Sequence, residues 1–191
     1  MAENKKGKIV VISGPSGVGK STICSEVLER IDDAYLSVST TTRPKGAGEV
    51  DGQHYHFVSG DEFEKRNAAG EFVEHAEVFG NFYGTSSDQL DKASASGETI
   101  VLEIDVQGGI QIKEKYPDAV MIFILPPKHK DLANRINGRG RDEQVEIEKR
   151  LAGASGETAV AWQHYQHMVI NEDLLTAVRE VVEIIQNDTD N

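Results

Sequence analysis

The 191-residue chain has the length of one compact domain, or of a core carrying one or two small insertions. Its net charge of −12 excludes non-specific binding to nucleic acid or an anionic membrane, which needs basic patches, but leaves small phosphate ligands open because these respond to local charge. The longest apolar runs, 9–12 and 119–125, fall far short of the roughly 18 residues of a membrane span; with no signal-peptide h-region behind the charged start and a single cysteine, Cys24, they predict a cytoplasmic protein.

In chain order, Lys8–Ser13 (KIVVIS) is a β-branched apolar run bounded by Gly7 and Gly14 and predicts a buried strand. Lys20–Ile31 places Ile23, Val27, Leu28 and Ile31 at helical spacing. From 37 to 85 the texture changes. Alternating positions at Gln53–Val58 and many turn residues predict a small mixed or antiparallel β insertion. Further strands are expected at Thr99–Asp105, at Ala119–Leu125 (stopped by Pro126-Pro127) and, shorter, at His167–Asn171. Helices are expected at Gly108–Lys115, Lys130–Asn137, Asp142–Tyr165 and Glu172–Ile185. Strands alternating with helices imply right-handed crossovers and a mainly parallel sheet covered on both faces. Cys24 is expected against that sheet and Trp162 in the core or in helix packing. His54 and His56 alternate on an exposed strand. His164 and His167 stand three apart on a helix with no third metal ligand nearby in sequence.

Gly14-Pro15-Ser16-Gly17-Val18-Gly19-Lys20-Ser21 fits G-x-x-x-x-G-K-[ST] at every fixed position, between an expected strand and an expected helix. Glycines let successive N–H groups turn inward onto phosphate oxygens, helped by the helix N-terminus. Lys20 would reach the β- and γ-phosphates of a bound ATP, and the Ser21 hydroxyl would ligate Mg²⁺. Asp105 closes a buried strand, as a Walker-B-type carboxylate on Mg²⁺ would; the same position suits a cap for the following turn.

The segments beyond the first helix narrow the class. Ser37–Arg43, Gly48–Phe57, Glu71–Glu77, Gly80–Thr85 and Leu102–Gly108 resemble, in order and spacing, the guanylate kinase family of P-loop nucleoside-monophosphate kinases. Phe123–Pro127, Arg135–Gly140, Lys149-Arg150 and Val169–Asn171 extend the resemblance over nearly the whole chain. It implies an α/β fold: a three-layer P-loop NTPase core (1–36, 91–127 and 156–191), a GMP-binding insertion (37–90) and a helical lid (128–155). It also implies Mg-dependent transfer of the ATP γ-phosphoryl group to GMP or dGMP, in a monomer or homodimer without nucleic-acid or membrane partners.

By that resemblance Glu74 accepts the guanine N1–H and 2-amino donors, Ser39 and Thr85 donate to O6, and Arg43 grips the GMP phosphate with Tyr55 and Tyr83 as phenolic partners. Glu103 stands where the family has aspartate in the GMP site. Arg135, Arg139 and Arg150 resemble lid and adjacent arginines that close over ATP and supply catalytic charge alongside Lys20 and Arg43. Asn171 is placed either against adenine or as the N-cap of the last helix. One departure concerns the phosphate grip: the family's second arginine falls on Gly46, leaving Lys45 as the nearby cation, a point charge without a bidentate fork. Interaction modules with the same fold typically lose the phosphate loop or its lysine, and this chain keeps both.

Overall fold

The structure is a computed structural model describing residues 7–127 and 156–188. Strands β1 (Lys8–Ser13), β2 (Ala34–Leu36), β7 (Thr99–Glu103), β8 (Val120–Leu125) and β9 (His167–Ile170) form one sheet in the order β2-β7-β1-β8-β9, with every neighbouring pair parallel. Strands β3 (Thr40–Thr41), β4 (His56–Phe57), β5 (Phe72–Val78) and β6 (Asn81–Ser86) form a second, mixed sheet. Helices are α1 (Lys20–Leu28), α2 (Gly60–Ala68), α3 (Ser87–Ser96), α4 (Val106–Lys115), α5 (156–164) and α6 (Leu174–Asn187). This is the expected three-layer α/β core with a mixed-β insertion.

The central strands read as continuous apolar runs because both of their faces are covered. Val10, Ile12, Val101 and Ile122 pack with Ile23 and Val27 of α1 and Val178 and Val181 of α6. Their neighbours Ile9, Val11, Ile100, Leu102 and Phe123 pack on the other side with Leu90 of α3, Ile112 of α4 and Ala161 of α5. With β7 and β8 flanking β1, chain crossovers leave to either side at the carboxyl end of β1, where a ligand crevice opens in such sheets. The phosphate-loop motif and Asp105 both lie at that end.

Several elements differ from expectation. Helix α1 stops at Leu28; Ile31 still joins the core, but from a turn in which the Ala34 N–H bonds to the Ile31 carbonyl. That turn feeds β2, an edge strand that no sequence pattern predicts. Helix α2 is also unforeseen, since Phe63 is its one buried residue and gives no periodicity. Its start carries a cap, with Ser59 Oγ accepting from the Glu62 N–H at 3.2 Å, and Phe63 stacks on Phe72 and Phe82 to build the insertion's small core. The expected insertion boundary at 90 falls inside α3. Trp162 is 65% exposed rather than core, and His167 opens β9 while His164 ends α5, so the two histidines share no helix. Cys24 is buried and His54 and His56 are exposed, as expected. The helix expected at 130–137, most of that at 142–165, and Arg135, Arg139 and Arg150 lie outside the described residues.

Candidate active site

The phosphate loop leaves β1 at Ser13 and enters α1 at Lys20. Gly17 and Gly19 take φ values of 84° and 104°, which a side chain would strain, and Gly19 is the α1 N-cap. Lys20 Nζ folds back onto the loop, donating to the Gly14 carbonyl at 2.6 Å and the Pro15 carbonyl at 3.3 Å. This holds the ammonium over the N-terminus of α1.

Ser21 Oγ donates to Glu103 Oε1 at 2.7 Å. The parallel register, Ile12 opposite Glu103, brings the end of β7 alongside the loop. Two hard oxygens, one anionic, beside a phosphate loop are a donor set that suits Mg²⁺, which takes one or two protein oxygens and fills its shell from phosphates and water. Asp105, the other expected Mg²⁺ ligand, is engaged at one oxygen by the start of α4. Its Oδ1 accepts from the Gln107 N–H at 2.6 Å and the Gly108 N–H at 3.1 Å, capping α4.

Glu74 on β5 is 3% exposed, and Thr85 Oγ1 on the adjacent β6 donates to its Oε1 at 2.5 Å. Burial pushes the Glu74 carboxyl up to about 7; the Thr85 hydrogen bond opposes the rise and the charge of Asp105 adds to it. A Cβ on Gly108 would stand 2.5 Å from Glu74 Oε2, so the first turn of α4 admits this carboxylate only because residue 108 has no side chain. The positive end of α4 thus faces both Asp105 and Glu74. Two glutamines that sequence reasoning passed over fix the pocket walls. Gln111 of α4 brackets His75 of β5, accepting from its N–H and donating to its carbonyl. Gln89 does the same to Val38, ahead of the buried Ser39. A lone glutamine carries no pattern from which this could be read.

Arg43 lies over the ring of Tyr55 at 5.3 Å, and Tyr55 stands edge-to-face with Tyr83 at 6.0 Å. The arginine fork is engaged bidentately by Glu49, at 2.7 and 3.0 Å, and Glu49 Oε2 also accepts from the Gly46 N–H. This pairing lifts Arg43 further above its ordinary range and lowers Glu49 to about 2. Burial raises Tyr55 to about 12, with Glu103 the next cause, which sets Glu103 between this cluster and the loop. Lys45 is exposed, with no hydrogen bond or ion pair among the described residues.

Asn171 does not cap the last helix; Asp173 does, accepting from the Thr176 N–H at 2.9 Å. Asn171 is buried and its Nδ2 donates to the Val18 carbonyl at 2.8 Å. Glu157 on α5 was not foreseen; burial raises its carboxyl, with Lys20 opposing and Asp105 adding, which sets it near the loop. Among the described residues no group of three His, Cys, Asp or Glu side chains forms a metal cage, and no helix is long and apolar enough to cross a membrane.

The family model described as guanylate kinase matches residues 6–188. The guanylate kinase of Clostridioides difficile (strain 630) is 45% identical over 184 residues, covering 96% of this chain and 89% of that one. That of Neisseria meningitidis serogroup A is 44% identical over 185 residues, covering 97% and 90%. The crystal structure of guanylate kinase from Anaplasma phagocytophilum superposes with a TM-score of 0.83 at 33% identity, covering 98% of this chain and 89% of that one. With its phosphate loop, its buried carboxylate and both sheets in place, the chain belongs to the guanylate kinase family of nucleoside-monophosphate kinases.

Proposed function

We propose that the chain transfers the γ-phosphoryl group of ATP to GMP, and to dGMP, giving ADP and GDP. The observation that carries this reading is the buried Glu74–Thr85 pair, joined to the phosphate loop through the N-terminus of α4. An ionised Glu74 accepts both donors of the guanine edge, an arrangement that adenine, without an N1–H, cannot satisfy. Ser39 supplies a hydroxyl for O6, as does Thr85 once its one proton turns from Glu74 to the base. Leaving such buried groups unpaired penalises the wrong base.

Gly14–Ser21 receives the triphosphate, with Lys20 moving from the loop carbonyls to the β- and γ-phosphates. Arg43, Tyr55 and Tyr83 receive the GMP phosphate, whose oxygens compete with Glu49 for the same fork. Lys45 supplies a second, weaker cation there. Arg135, Arg139 and Arg150 are assigned to closure over ATP and to transition-state charge. The acceptor is an already anionic phosphate oxygen, so the site needs no nucleophile; it aligns the two phosphates and excludes water. Mg²⁺, when bound, neutralises charge on the β- and γ-oxygens. We assign its protein ligands as Ser21 with Glu103 rather than with Asp105, whose carboxylate instead caps α4 beside Glu74. The single buried cysteine suits a cytoplasmic enzyme.

A coupled ADP-release assay with GMP, dGMP, AMP, CMP and UMP tests the reading. Turnover is expected with GMP and dGMP and at least a hundredfold less kcat/KM with AMP; equal rates with AMP would remove the guanine assignment.

A further inference from the structure

We propose that Tyr165 and Asn171 are positioning residues for the triphosphate, gripping the phosphate loop at its two ends from one short segment. The proposal rests on the reading of Gly14–Ser21 as the ATP phosphate loop. At the loop's entry the Tyr165 hydroxyl donates to Ser13 Oγ at 2.7 Å, and Ser13 Oγ donates onward to the carbonyls of Ile104 at 2.8 Å and Asp105 at 3.2 Å. This buried relay ties the end of β1 to the turn after β7, and each bond polarises the next. Near the loop's exit, Asn171 Nδ2 holds the Val18 carbonyl, while the Asn171 backbone N–H is anchored on the Leu125 carbonyl at 2.8 Å. Tyr165 and Asn171 thus brace the loop from the two ends of β9.

The loop needs such bracing. Glycines at 14, 17 and 19 make its backbone permissive, yet phosphate binding requires its N–H groups to point one way. In a trans peptide the carbonyl and the N–H point in opposite directions, so fixing the Val18 carbonyl on Asn171 turns the Gly19 N–H away from Asn171. Two glycines have made room for the braces. A Cβ on Gly19 would lie 2.7 Å from Asn171 Nδ2, and a Cβ on Gly109 of α4 would overlap the Tyr165 hydroxyl. Gly19 therefore answers to Asn171 as well as to its own φ. The Tyr165 ring also packs edge-to-face on Phe123 at 5.5 Å, so Tyr165→Phe removes the hydroxyl while retaining the packing.

The test is titration of the purified protein with MgATP and, separately, with GMP, for Tyr165→Phe, Ser13→Ala, their double variant, Asn171→Ala and, as a control on the loop itself, Lys20→Ala. Each brace removed is expected to weaken MgATP binding about 5- to 20-fold, the effect of one lost buried hydrogen bond, with GMP affinity held within about twofold. The double variant should bind MgATP no more weakly than the worse of its parents, because both substitutions remove one relay. Full additivity overturns the relay. MgATP affinity within twofold of the parent, or equal losses for MgATP and GMP, overturns the positioning role. If Tyr165→Phe does not fold, Ser13→Ala removes the same bond and is read the same way. Unchanged MgATP affinity in Lys20→Ala would instead remove the loop assignment.

Discussion

The proposed guanine pocket makes GMP binding depend on pH. Glu74 is lifted from 4.5 to about 7, chiefly by burial. The neutral form cannot accept two hydrogen bonds from the guanine edge, so only the ionised fraction binds well. That fraction is roughly one in eleven at pH 6 and ten in eleven at pH 8, so the KM for GMP should rise about tenfold between pH 8 and pH 6. The GMP phosphate also titrates near pH 6 and contributes roughly a further twofold, but Glu74→Gln keeps that contribution and loses the rest. In Glu74→Gln the KM for GMP should be raised about a hundredfold or more, since an amide donor then faces a guanine donor, with a pH profile nearly flat. Stability moves the other way. The folded value lies above the unfolded one, so Glu74 adds stability that is fully present below pH 4.5 and is lost as pH rises to about 7, on the order of 3 kcal/mol in total. Glu74→Gln, free of that burden, should melt at a higher temperature than the parent at pH 8. Steady-state kinetics at five pH values and thermal melts at pH 8 suffice. A flat parental profile for GMP, or the same steep profile in Glu74→Gln, would refute the reasoning.

Three further outcomes are expected. Gly108→Ala would push on the Glu74 carboxylate and should raise the KM for GMP at least about tenfold, with the KM for MgATP unmoved; a parental GMP KM would show that the pocket tolerates a methyl group. Lys45→Ala should raise the KM for GMP about two- to fivefold, as a solvated cation would, and an unaltered value would show that Lys45 does not replace the missing arginine. Phe63→Ala should destabilise the insertion by about 3–5 kcal/mol, read as a lower denaturation midpoint together with a GMP KM that rises more than that of MgATP.

How legible each element is in the sequence depends on how it is buried. Lys8–Ser13 and Val120–Leu125 are covered on both faces, so their apolar runs announce strands. Strand β2 has three half-buried residues at a sheet edge and helix α2 has one buried side chain, so neither carries a period. The carboxylates show a subtler limit. Residues 103 and 105 are two apart, and spacing alone gives them one face. In the fold β7 ends at Glu103, whose carboxylate meets Ser21, and the chain then bends to start α4, where the Asp105 carboxylate caps the helix. Which one meets Ser21 is decided by the β1–β7 register, a long-range fact. Glu49 on Arg43 is hidden for the same reason, since pairing six positions apart requires a turn whose shape no local pattern states.

An acidic chain that binds two anionic nucleotides must keep its cations available without leaving them loose. Lys20 rests on the loop carbonyls and Arg43 on Glu49, each held by oxygens that phosphate oxygens can replace. The Arg43–Glu49 pair is bidentate and mostly shielded, about a quarter exposed on the Glu49 side and a third on the Arg43 side, so an incoming phosphate must match it to take the fork. On the proposed reading a GMP phosphate offers the same fork two anionic oxygens, so one charge-assisted pair replaces another and Arg43 is not left unpaired. Glu49, held near 2, remains ionised across the working range and competes equally at every pH. On the proposed reading phosphate affinity rests on exchangeable contacts to protein groups that keep their charge across the working range, and base choice rests on one buried, titrating carboxylate. Substitutions at Arg43 or Lys20 should therefore weaken right and wrong acceptors alike, whereas those at Glu74 should change which base is accepted.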